Sequence, residues 1–347
     1  MRIRSPLALL TLVSTLMLLP SSIGAAPRVV EGIPLADPTP TGEADLQGRI
    51  FFSANLLGEF EPCSCPDRPL GGIAQAAALV EAARGKGTPV FWLDSGDRLF
   101  RFDMAMTGQV EAERRARSVL LVDAGNAGGL DALGLGRLDL GSGLDYLRRL
   151  AVRAAFPMLS ANLVDDEGNK VFKASILIDR GGRQVGITSV LPSGLEGRGY
   201  RSTDPIAAAK AEVRALRAMG ADLVVVLSNL GIDEDSRLAR ASRADLVLSS
   251  HSRELTAEGR KLGRVPAGEP GSRGRYLGDA RWYRKGPDRG PGLVVTTQPV
   301  YTGGAEHPQV RSLVEQTLKR LTDPSLGLPP ISFESFEDPA FREREKR

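Results

Sequence analysis

The sequence predicts an α/β fold with parallel strands at the centre of its sheet. Two observations carry this: short apolar runs alternate with stretches of helical apolar spacing, and the runs end repeatedly in Ser, Asn, Asp or Gly turns. Ligands on such sheets collect where strands end and loops begin, so those turns are where chemistry is expected.

Taken in order, Arg49–Asn55 reads as a strand, and Gly72–Arg84 as a helix opened by glycines. Val90–Leu93 is a buried strand ending at DSGD. A helix over Gly108–Leu121, a strand over Ala132–Leu135 and a helix over Gly143–Ala151 follow. Met158–Leu163, Ala174–Asp179 and Gln184–Val190 read as three strands. Pro205–Met219 is a long helix, Asp222–Leu227 an apolar strand, and Leu246–Ser249 a second strand of the same pattern. Residues 258–291, rich in Gly, Arg and Pro, read as an exposed irregular insertion.

The ends of the chain read differently. Residues 1–26 join a basic start (Arg2, Arg4) to an apolar run, Leu7–Leu19, and the small residues Gly24, Ala25 and Ala26. That is the pattern of a cleaved signal peptide, and the run falls short of the roughly 20 residues a spanning helix needs. A secreted or periplasmic chain with no transmembrane anchor after cleavage is expected. Residues 27–47 read as a linker, 48–321 as the folded domain and 322–347 as a charged tail. Cleavage at 26 removes two arginines and no acid, taking the formal charge from +3 to +1. Such a balance provides no basic face for nucleic acid.

Cys63 and Cys65, in EPCSCPDRPLGG, are the only two cysteines. One residue apart, they cannot staple distant parts of the fold. A Cys-x-Cys disulfide closes a very small ring, which stabilises little and is comparatively easy to reduce. Three readings stand: a thiol redox pair, a pair of ligands for one metal ion, or an inert local disulfide.

Five stretches occur in a telling order: SANLLGEFEPC with GGIAQAAALVEAAR, FWLDSGDRLF, DALGLGRLDLGSGLDYLRRL, FPMLSANLV, and GADLVVVLSNLG with ADLVLSSHSRE. Together they resemble the calcineurin-like metallophosphoesterases, specifically the catalytic domain of bacterial periplasmic 5'-nucleotidases, over roughly residues 48–305. The resemblance implies a four-layer αββα sandwich of two mixed sheets, with two metal ions at the strand ends that supply a metal-bound hydroxide. It also implies which residues stand at the ligand positions, and most are changed. Asn55 and Leu57 occupy the first motif, and Asp97 keeps the bridging aspartate of the second. The third reads Gly136, Arg137, Leu138, Asp139, so the metal-binding Asn is Arg and the transition-state His is Leu. Asn229 replaces a fourth-motif His, and the last motif, Ser250–Arg253, keeps only His251. Leucine binds no metal, and arginine cannot be deprotonated to become a ligand.

A dinuclear centre, and with it ordinary phosphoester hydrolysis, is therefore not expected. The cysteine loop follows the first motif and resembles that of an exported nucleotidase-like subgroup carrying paired cysteines or a selenocysteine there, which tilts the reading toward thiol reactivity. Cys63 and Cys65 are the candidate catalytic residues, and Asp97, His251, Asn55 and Asn229 the candidate metal ligands. Two thiolates with His251 and Asp97 would suit one zinc or copper ion. A small anionic ligand, drawn to Arg137 and Arg253, or a thiol partner is the expected counterpart. The other outcomes are a surviving 5'-nucleotidase-like hydrolase and a non-catalytic anion-binding scaffold, a pseudoenzyme. Five residues also have plain structural readings: Asp97 capping the turn after Gly96, Asp139 in a surface ion pair with Arg137, His251 as a buried hydrogen-bonding residue, Asn162 in a strand-end turn and Trp92 in the core.

Overall fold

A computed structural model describes residues 45–63, 69–104, 106–284 and 292–322. In chain order the strands are β1 (Leu46–Ser53), β2 (Val90–Asp94), β3 (Ala132–Gly134), β4 (Met158–Leu159), β5 (Leu163–Val164), β6 (Ser175–Arg180), β7 (Arg183–Val190), β8 (Glu196–Gly197) and β9 (Tyr200–Ser202). They continue with β10 (Leu223–Ser228), β11 (Leu246–Ser249), β12 (Arg260–Leu262), β13 (Val265–Gly268), β14 (Tyr276–Tyr283) and β15 (Gly292–Pro299). The helices are α1 (Ile73–Arg84), α2 (Gly108–Gly128), α3 (Leu144–Arg153), α4 (Pro205–Ala218), α5 (Ile232–Ser242) and α6 (Pro308–Thr322).

Two six-stranded mixed sheets run in the orders β15-β14-β1-β2-β3-β4 and β12-β13-β11-β10-β7-β6, beside a small β5-β9-β8 sheet. Alternation along each strand explains the layering. In β1, Ile50 and Phe52 enter the core between the sheets, where they meet Val225, Leu227 and Leu248. Phe51 points the other way, into a core with Val80, Leu121 and Val310 from α1, α2 and α6. On the far side, Val224, Val226 and Val247 pack against Ala209 and Leu238 of α4 and α5. The result is the four-layer αββα sandwich.

Parallel pairing in the middle of each sheet sends successive strands out at the same end. The loops after β1, β2, β3, β10 and β11 therefore emerge together. One close approach locks two of them. Gly96, with φ +105°, lies where a Cβ would come 2.5 Å from the Gly136 nitrogen, so neither loop has room for a side chain there.

Several expectations change. Met158–Leu163 is not one strand: β4 and β5 lie in different sheets, and Leu163 N–H turns back onto Ser160 Oγ at 3.2 Å. The supposed insertion at 258–291 is, in its described part, ordered sheet. Leu262, Ala267, Leu277, Ala280 and Trp282 are buried, and several of the glycines that suggested a loop (259, 263, 271 and 274) supply positive-φ turns between its strands. The strand β1 begins at Leu46, inside the segment expected to be linker, and α6 ends at Thr322, the first residue of the expected tail. The signal peptide, the rest of that linker and the rest of the tail lie outside the described residues. Among the described residues, no helix is long and apolar enough to cross a membrane.

Candidate functional site

The strand-end loops bring Asn55, Asp97, Arg137, Asn229 and His251 together through a chain of contacts. Asn55 Oδ1 accepts from the backbone N–H of His251 at 2.8 Å, and His251 Nδ1 lies 3.7 Å from Asp97 Oδ2. Asp97 Oδ1 accepts from Leu138 N–H at 2.8 Å, and Asn229 Oδ1 accepts from Arg137 N–H at 2.8 Å.

The backbone there is unusual. Seven non-glycine residues adopt positive φ among the described residues; Asn55, Leu57, Asp97, His251 and Arg253 are five of them, with φ between 52° and 78°. A sixth, Arg273, donates its N–H to Asn55 O at 2.8 Å. Left-handed backbone costs a non-glycine residue roughly 1–2 kcal/mol and persists where the surroundings over-determine it, typically at functional sites.

The side chains in these wound loops are mostly spent on one another. Asn55 Nδ2 donates to Glu269 Oε1 at 3.2 Å and to Gly271 O at 3.0 Å, using both of its hydrogens. Asn229 Nδ2 donates to Ser250 Oγ at 2.8 Å, and Ser250 Oγ donates to Ser95 O at 2.7 Å. Leu57 and Leu138 are buried, closing the positions where the resembled family has imidazoles. Asp97 Oδ2 is not spent in this way: it is buried, with no hydrogen-bond donor within reach among the described residues.

Asp139 does not pair with Arg137 at the surface. A 3-10 turn over Arg137–Leu140 swings it inward, fully buried, to accept from the N–H groups of Asp97 (3.0 Å), Leu99 (2.8 Å) and Gly136 (2.8 Å). Burial, reinforced by the neighbouring Asp97 charge, pushes its pKa up to about 7. Arg137 instead reaches Asp103, with Nε 3.6 Å from Oδ2. The side chain of His251 is not buried but 37 % exposed at the cleft mouth, and that of Arg253 faces solvent. Asn162 braces a turn, bonding Leu191 and Thr203, and Trp92 lies in the core.

Glu269, unnoticed in the sequence, is the hub on the Asn55 side. It accepts from Arg253 N–H at 2.7 Å and lies 3.4 Å from Arg260 Nη2, and burial raises its pKa to about 7. No pattern marks it, because its role depends on a strand that reads as loop.

Cys63 is half-buried in a short hairpin; Cys65 lies outside the described residues. Cys63 N–H donates to Leu70 O at 2.9 Å, and Gly71 N–H to Val300 O at 2.8 Å. Gly71 packs on the Arg273–Gly274 turn, the same turn that holds Asn55, so the hairpin stem borders the cleft.

These residues do not fit a dinuclear metal centre. Two of the positions are leucine, both amide oxygens are turned onto backbone N–H groups, and Arg137 stands where a ligand would be needed. Among the described residues, no three His, Cys, Asp or Glu side chains converge as metal ligands. The Asp97–His251 pair has the spacing of two ligands on one ion, whose bonds would each be about 2 Å.

The fold is that of the metallophosphoesterases. Comparison with models of protein families finds no match. The chain is 24% identical over 255 residues to a 2',3'-cyclic-nucleotide 2'-phosphodiesterase/3'-nucleotidase of Yersinia enterocolitica, which covers 60% of this chain and 38% of that protein. It superposes on a 5'-nucleotidase precursor of Thermus thermophilus with a TM-score of 0.66 at 20% identity, covering 78% of this chain and 58% of that one. On the sulfate thiohydrolase SoxB of the same organism the TM-score is 0.68 at 20% identity, with 81% and 61% covered. These likenesses show that the chain shares the fold of these nucleotidases and phosphoesterases. The chain spans less than half the length of the curated relatives it matches.

Proposed function

We propose that this is an exported metallophosphoesterase-fold protein whose dinuclear centre has been rebuilt into a hydrogen-bonded network. Its cleft works through the Cys63–Cys65 loop, in thiol–disulfide exchange with a thiol partner or by holding one zinc or copper ion with Asp97 and His251. The observation that carries this reading is the commitment of Asn55 and Asn229 to backbone partners beside two buried leucines. That leaves Asp97 Oδ2 as an open acceptor facing His251. In the exchange reading, the two thiols give two electrons and two protons to a partner disulfide, leaving a Cys63–Cys65 disulfide and two partner thiols. In the metal reading, the two thiolates would complete a set of four ligands whose other members are already 3.7 Å apart.

The test is an assay of purified full-length protein against a nucleoside monophosphate and an aryl phosphate with added manganese, alongside counting of free thiols in graded thiol buffers. Silence in the first and reversible loss of two thiols in the second are expected. Metal-dependent turnover abolished by Asp97→Ala would restore a working phosphoesterase.

A further inference from the structure

We propose that a pocket beside this cleft, between Leu57 and Val110, binds the aromatic body of a small anionic ligand. The inference goes beyond the proposed function and stands whether or not the cysteine loop is redox-active.

The cavity measures about 250 Å³, near the roughly 300 Å³ at which small-ligand sites begin. Leu57, Leu99 and Phe100, all at most 4 % exposed, make its floor, while Phe102, Met106 and Val110 rise around it. Its apolar wall stands in water. Six large hydrophobic side chains are exposed among the described residues, and three of them, Phe102, Met104 and Val110, fall within this one segment. Single exposed apolar residues need no explanation, but a cluster beside a concavity marks a surface that something covers.

Charge selects the kind of ligand. Five charged residues line the pocket. Glu113 lies 2.9 Å and Glu59 3.9 Å from Arg117, whose guanidinium also stacks over Phe60. Arg114 is held by Glu111 at 2.9 Å and by the carbonyls of Phe102 and Met104, which pins the 102–104 segment over the cavity. Only Arg101, 5.8 Å from the Phe102 ring centroid, has no carboxylate within ion-pair distance among the described residues. A planar aromatic group fits between the apolar wall and the floor, with its anionic substituent on Arg101.

The pocket and the cleft share a wall. Leu57 N–H donates to Asp97 O at 2.9 Å, and Asp103 on the pocket segment reaches Arg137. The leucine that removes a ligand position from the first motif thus also supplies the pocket floor.

Calorimetric titration of the full chain with 1-naphthoate, and with the neutral 1-naphthalenemethanol, tests the inference. Naphthoate is expected to bind one per chain. Val110→Asp, a change at an exposed position, should weaken both ligands about tenfold by placing a carboxylate against the ring. Arg101→Ala should weaken naphthoate about threefold and leave the alcohol unchanged. Absence of saturable binding, several naphthoates per chain, or binding indifferent to Val110→Asp overturns it. So does a wild-type dimer that Val110→Asp converts to monomer, since the patch would then be a contact between copies of the chain.

Discussion

Asp97 Oδ2 and His251 Nδ1 face each other at 3.7 Å across the cleft, one from the loop after β2 and the other from the loop after β11. That is the spacing of two ligands on one ion, whose bonds would each be about 2 Å. Equilibrium dialysis against zinc should return no more than one ion per chain, and Asp97→Asn should reduce that to none. Two ions per chain would show that the network opens to a dinuclear centre.

Asn229 ties the third-motif loop to the fifth through Arg137 N–H and Ser250 Oγ. Replacing it with alanine strands the Arg137 backbone donor and removes the donor to the Ser250 hydroxyl, and should cost about 1–3 kcal/mol in urea unfolding. An effect under about half a kcal/mol would mean that water takes over both contacts.

Asp235, behind the site, is buried and accepts from Ser228 Oγ and from Ser249 Oγ at 2.7 Å. Desolvation raises its pKa to about 6, against the two serine hydrogen bonds that lower it. A carboxyl whose folded pKa is raised holds its proton longer in the folded chain, so its contribution to stability falls as pH rises from about 4 to about 6. Asp235→Asn should remove that fall, because both hydroxyls can turn to suit an amide. Thermal midpoints of the two proteins should therefore move apart in the variant's favour across this window; parallel profiles would assign the slope to other groups.

Cys63→Ser should leave thermal stability within about half a kcal/mol of wild type, since the ring that the two cysteines can close restrains the unfolded chain little. The reduction potential of the wild-type pair should be less negative than the roughly −300 mV of structural disulfides. A loss of several kcal/mol on substitution, with resistance to reduction, would make the loop a staple.

Much of the sandwich was legible because its central strands are continuous apolar runs. LVVVLS of β10 and VFWLD of β2 are short, rich in β-branched and aromatic residues and buried at every position, so they read as strands without ambiguity. The edges were harder to read. In β12 to β14, glycines at 259, 263, 271 and 274 supply positive-φ turns between short strands, and their density imitates a loop. Within the site, the positions of Asn55, Asp97 and His251 followed from motif order, because each sits just past a strand end. What the side chains do there was not legible. The inward turn of Asp139 and the reach of Glu269 depend on which backbone N–H groups other loops present, and no local pattern records that.

The left-handed turns at Asn55, Leu57, Asp97, His251 and Arg253 have a consequence for redesign. In building a metal centre, the hard part is usually the main chain, which must aim several ligands at one point before any ion arrives. Here those turns are already wound and tied to one another. Imidazoles at positions 57, 138, 229 and 253, an amide at 137 and a carboxylate at 55 would change side chains alone, making this protein a ready mould for casting a two-metal hydrolase.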